Sequence, residues 1–129
     1  MKKWVTGTLV FALAAFAVAA SRPAEEQSKI DWLLDQIGGS GAIFIRNGQE
    51  YEAKKAVSHL KQKLWFAGRR VQTARDFIAG CATHSEQSGK TYEIRFADGK
   101  QRRLAEWLNE RLAELEKGKA VPEKAAPKK

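Results

Sequence analysis

Asn47-Gly48 restricts the folds open to this chain more than any other feature of it. The pair closes "AIFIR", a short apolar and β-branched run, and "QEYE" follows at once. Asn and Gly both accept the positive φ that a type I′ turn requires, so the dipeptide predicts a two-residue β-hairpin. In that register Arg46 faces Gln49 and Phe44 faces Tyr51, an aromatic cross-strand pair that stabilises a hairpin by about 0.2–1 kcal/mol. An antiparallel sheet is thus set early, and the rest of the chain has to cover one of its faces.

The covering material is helical. Ile30, Leu33, Leu34 and Ile37 recur at helical spacing in "EEQSKIDWLLDQIGGSG", and Gly38-Gly39 end that helix. Ala53, Ala56, Val57, Leu60, Leu64 and Ala67 trace the stripe of a second helix, closed by Gly68. Thr73-Ala74-Arg75-Asp76 reads as a capping box opening a third, with Ala74, Phe77, Ile78, Cys81 and Ala82 on its apolar side. "TYEIRF" alternates strictly, Asp98-Gly99 turns the chain, and "KQRR" returns as a polar edge strand. Leu104, Trp107, Leu108, Leu112 and Leu115 then form the last helix. The expected fold class is α+β, with about four helices packed on a small antiparallel sheet of two hairpins.

Both ends carry a different signal. Lys2-Lys3, the apolar run "WVTGTLVFALAAFAVAA" and the small residues before Ser21 make a signal peptide with cleavage after Ala19 or Ala20. An uncleaved anchor is the rival reading, but Trp4–Ala20 barely spans a bilayer. No cysteine lies near the junction to take a lipid. Residues 1–20 are therefore read as leader, 21–116 as one domain, and 117–129 as a disordered basic tail without apolar period. No second apolar run follows, so no stable membrane insertion is expected after cleavage.

Charge distribution excludes one class of partner. The net charge is +8, yet Lys2 and Lys3 leave with the leader and the tail from Lys117 carries +4, which leaves +2 on residues 21–116. A domain that neutralises phosphates concentrates its charge on the folded body, so no nucleic acid partner is expected. Cys81, the one cysteine, allows no internal disulfide.

Arg46-Asn47-Gly48 with Glu50-Tyr51, His59-Leu60, Ala67-Gly68, and Ser88-Gly89 with Tyr92 occur in a recognisable order. With "TARDFIAG" and "AEWLNERL", they make the chain resemble the YfeK-like family of small exported bacterial proteins, which carry a domain of unknown function. The likeness runs from about Ile30 to Leu115 and leaves out the basic tail. It implies a bacterial, periplasmic protein. It implies no activity, since it brings no catalytic or binding residue to this chain.

The residues that could carry chemistry each have a plainer role. Ser58-His59-Leu60-Lys61 matches a Ser-x-x-Lys pattern and Lys90-Thr91 part of its companion, but Tyr92 replaces the expected glycine and the mature chain is too short for that two-domain fold. Cys81, His84 and His59 could ligate zinc, but Cys81 falls on an apolar stripe where a thiol acts as a small hydrophobe. Glu50 and His59 are the candidate acid-base pair, though no spacing rule joins them. His59 is expected to hydrogen-bond the hairpin backbone instead. Arg46, Asn47, Glu50 and Tyr51 could form a polar rim, but the same residues suit a stable turn. No catalytic, cofactor or metal residue is assigned.

Trp32 and Trp65 lie off their stripes, so they either pack under another layer or form an exposed patch. In a domain of this size packing is the expectation. Trp65, followed by Phe66, Arg69 and Arg70, is nonetheless the best candidate partner-binding surface, because interfaces favour aromatic residues and arginine. The leading expectation is a non-enzymatic binding module of the cell envelope, with an envelope protein or cell-wall component as partner. The alternatives are a small envelope hydrolase working through Glu50 or His59, and an inhibitor or immunity protein presenting the Ser85–Thr91 loop.

Overall fold

The computed structural model describes residues 21–118, so the expected leader and nearly all of the basic tail lie outside the described residues. Helix α1 spans Ala24–Gly38, strand β1 Ile43–Arg46, β2 Gln49–Glu52 and α2 Ala53–Ala67, followed by a 3-10 turn at Gly68–Arg70. Helix α3 spans Ala74–Cys81, β3 Glu93–Arg95, β4 Gln101–Arg103 and α4 Leu104–Lys117. Among the described residues, four helices and a four-stranded antiparallel sheet make the α+β arrangement.

The hairpin forms where the dipeptide requires it. Asn47 has φ 54° and Gly48 φ 79°, and Phe44 pairs with Tyr51 and Arg46 with Gln49. The sheet runs in the order β2-β1-β3-β4, with Phe44 opposite Ile94 and Ile94 opposite Arg102. Pleating then sorts the side chains. Phe44, Arg46, Tyr51 and Ile94 turn to the helices. Ile43, Ile45, Glu50, Glu93 and Arg95 turn to the open face, where Arg95 Nη2 donates to Glu50 Oε2 at 2.8 Å.

The core is the helical stripes closed over Phe44 and Ile94. Ile30, Leu33, Ile37, Phe77, Leu108 and Leu112 are wholly buried. Eight-residue α3 is too short to persist without help at its ends, and its first turn is held from two sides. Thr73 Oγ1 accepts from Asp76 N while Asp76 Oδ2 accepts from Thr73 N, the expected capping box. Glu26 on α1 reaches across and accepts from Ala74 N at 2.8 Å, placing a carboxylate at the positive end of the helix. Lys29 joins Glu26 to Glu116, tying α1 to α4. Among the described residues no helix is long and apolar enough to cross a membrane.

Candidate functional site

Two surfaces meet along α2, and its position explains both. The helix follows β2 with no intervening residue and packs on β1, β2, α1 and α3. Half of its stripe is alanine, and Leu60 alone is fully buried. Trp65 lies five residues after Leu60, about 140° further round the helix at about 100° per residue.

No element covers that side among the described residues, so Trp65 is 76% exposed and Phe66 67% exposed. This overturns the expectation that Trp65 packs inside, whereas Trp32 does pack against the core. The two rings meet edge to face at 5.3 Å between centroids. Beyond them Gly68, at φ 55°, turns the chain into the 3-10 turn that carries Arg69 and Arg70. Arg70 donates from Nε to Ala67 O and from Nη2 to Phe66 O, which fixes its side chain against the end of α2. A groove of about 650 Å³ starts at Phe66 and Arg70 and runs over Ala79 and Gly80 to Glu86.

The second surface is a cleft of about 450 Å³ between α2 and the sheet, lined by Phe44, Arg46, Tyr51, Lys55, His59 and Tyr92 among others. Lys63 Nζ donates to the Tyr92 hydroxyl at 3.0 Å, and that hydroxyl lies 3.2 Å from His59 Nε2. The Tyr92 hydroxyl has one proton to donate and a lone pair left beside the Lys63 contact, so its bond to Nε2 accommodates either neutral tautomer of His59. Burial first, then the charges of Arg46 and Lys63, hold the His59 pKa below its ordinary value. The expected bond from His59 to the hairpin backbone is replaced by this side-chain bond, because Tyr92, next to β3, comes closer to the ring.

A depressed folded pKa gives a signed prediction. The stability contributed by neutral His59 is fully present above its unfolded value of about 6.5, and it is lost as pH falls through the lower folded value. Chemical denaturation of wild type and His59→Gln between pH 7.5 and 5 should therefore show a steeper acid decline in the wild type. Parallel curves would remove His59 from this role.

The remaining candidates do not converge. Glu50 pairs with Arg95 on the open face, while His59 bonds Tyr92 on the helix side, so the sheet separates the two. Cys81 is 1% exposed, and burial pushes its thiol pKa up. Among the described residues no three His, Cys, Asp or Glu side chains gather as a metal site. Ser58 and Lys61 are both exposed on α2. The Ser85–Thr91 loop is pinned at its base rather than projecting freely. Ser85 is buried and accepts from Asn47 Nδ2 at 3.3 Å, Ser88 Oγ donates to Asn47 Oδ1, and His84 bridges Thr91. Asn47 thus has a second role that turn chemistry alone did not indicate, fastening the hairpin tip to this loop.

Comparison with known proteins agrees with the order of these parts. The protein named "Uncharacterized protein YfeK" from Salmonella typhimurium is 33% identical over 93 residues, which cover 71% of this chain and 77% of that protein. No solved structure matches the chain. Residues 24–116, from the first turn of α1 to the last turn of α4, match a family whose description is "Family of unknown function (DUF5329)". The chain belongs to that family.

Proposed function

We propose that this chain is an exported binding module of the bacterial envelope, and that Trp65, Phe66, Arg69 and Arg70 form its contact surface for another envelope protein. The observation that carries the reading is the pair of large aromatic side chains left 76% and 67% exposed side by side. Single exposed apolar residues need no explanation, but a Trp-Phe pair flanked by two arginines has the composition of an interface hot spot. The groove next to Phe66, floored by Ala79 and Gly80, has room for an apolar side chain of the partner. Arg69 and Arg70 suit acidic groups at its rim. The leader read at residues 1–20 supports export to the periplasm, and the lysine-rich tail would add a weak, salt-sensitive attraction to anionic envelope polymers.

Affinity capture from periplasmic extract tests this, using the mature chain with and without residues 119–129. Trp65→Ala and Phe66→Ala should leave stability within about 0.5 kcal/mol, as substitutions away from core contacts do. Each should weaken partner retention about tenfold or more, as loss of an interface anchor does. Arg69→Ala should act in the same direction. A destabilisation as large as that of a core truncation, or unchanged retention by all three variants, would defeat the proposal.

A further inference from the structure

Arg46 is a charged residue in an apolar position. It lies two residues after Phe44, so the pleat turns it to the helix side with Phe44 and Tyr51. Its Nε is buried and makes no hydrogen bond among the described residues. A buried guanidinium N–H without an acceptor is costly, and a folded protein rarely leaves one so. The charged neighbours on this side supply no acceptor: Lys55 shares the cleft, and Lys63, whose Nζ lies 3.9 Å from Glu86 Oε2, stands over the Tyr92 ring at 4.9 Å. Glu93 also borders the cleft, but its carboxylate accepts from Gln101 on the open face. Glu50 is taken by Arg95 on that same face. Phe44, Ala56, Leu60 and Leu104 supply apolar wall.

We propose that the cleft between the β1–β2 hairpin and α2 is a binding site for a small organic carboxylate. The carboxylate accepts from the planar fork of Arg46, and an apolar body lies against Phe44, Ala56 and Leu60. A cleft of about 450 Å³ falls within the size range of small-molecule sites, in which a mostly apolar wall carries a few placed polar groups. Arginine in such a wall pairs with a planar carboxylate through two parallel hydrogen bonds. None of Trp65, Phe66, Arg69 and Arg70 lines the cleft, and the site does not depend on the contact surface proposed above. His59 serves as a built-in reporter. Burial first, then the charges of Arg46 and Lys63, hold its pKa down, and an anion that offsets those two charges raises it.

Nuclear magnetic resonance titration of the mature chain with benzoate tests the site, with benzyl alcohol and inorganic phosphate in parallel. Benzoate is expected to shift the amides of residues 44–46 and 56–60, raise the His59 pKa, and bind at least about tenfold more tightly than either control, the difference one charge-assisted bidentate contact makes. Arg46→Gln should abolish benzoate binding. Arg46→Met should unfold at or above the wild-type temperature, since it removes a buried N–H that has no acceptor among the described residues. Equal binding of benzoate and benzyl alcohol, or no shift at millimolar benzoate, would overturn the proposal. So would unchanged affinity in Arg46→Gln, or phosphate binding more tightly than benzoate. If Arg46→Gln does not fold, the wild-type His59 pKa decides: a rise with benzoate and none with benzyl alcohol supports the site, and its absence overturns it.

Discussion

Phe77→Ala should cost about 3–5 kcal/mol, the range for removing a buried aromatic ring. Phe77 is 0% exposed and sits mid-way along α3, which packs on α1, α2 and α4. Several elements would have to move to fill the space, and a short helix with three neighbours cannot follow all of them. A domain of this size has total stability of about 5–15 kcal/mol, and the single cysteine allows no disulfide to hold it. Urea denaturation should therefore show a large fall in midpoint with little change in slope. A loss under about 1 kcal/mol would mean that α3 is not the centre of the core. The contrast with Trp65→Ala is informative: two large aromatic residues twelve positions apart should differ in stability effect several-fold, because one ring is enclosed and the other is in water.

Gly48→Val should destabilise the domain by about 1–3 kcal/mol, the cost of holding a side chain in a sparsely populated backbone region. A Cβ at Gly48 meets nothing within 4 Å, so the penalty comes from the backbone at φ 79° and not from a clash. Gly48→Asn should accordingly cost much less, since asparagine tolerates this region. Thermal unfolding of the two variants separates the causes. Equal losses for Val and Asn would point to crowding, and no loss for Val would mean that the turn is not the tight one described. Because Asn47 also bonds Ser85 and Ser88, the Val variant should loosen the 85–91 loop along with the hairpin tip.

Local chemistry was legible in the sequence. Asn47-Gly48, the Thr73–Asp76 box and the stripe of α1 depend on neighbouring residues and the backbone between them, so reading them needs no knowledge of the fold. The joining of β1 to β3 does need it, because the two strands lie far apart in the chain and nothing in either names its neighbour. Trp65 was misread for the same reason. Helical periodicity placed it off the stripe of α2, but whether another layer covers that side depends on where α1, α3 and the sheet lie. Arg46 is a different case: alternation from Phe44 already put it on the inner face, and the turn signal beside it drew attention away from the charge. The bond between His59 and Tyr92 joins residues on separate elements and had no local trace.

The two strand-to-helix junctions, Glu52 to Ala53 and Arg103 to Leu104, contain no linker at all. Each strand therefore sets the rotational phase of the helix that follows it, as a key on a shaft sets a wheel. One residue inserted at either junction would turn α2 or α4 by about 100° relative to its strand. For α2 that rotation would take Leu60 out of the core, carry His59 away from the cleft and re-aim the Trp65–Phe66 pair, all in one step. An insertion before β1 or around residues 85–91, away from both junctions, would instead leave the phase of both helices intact.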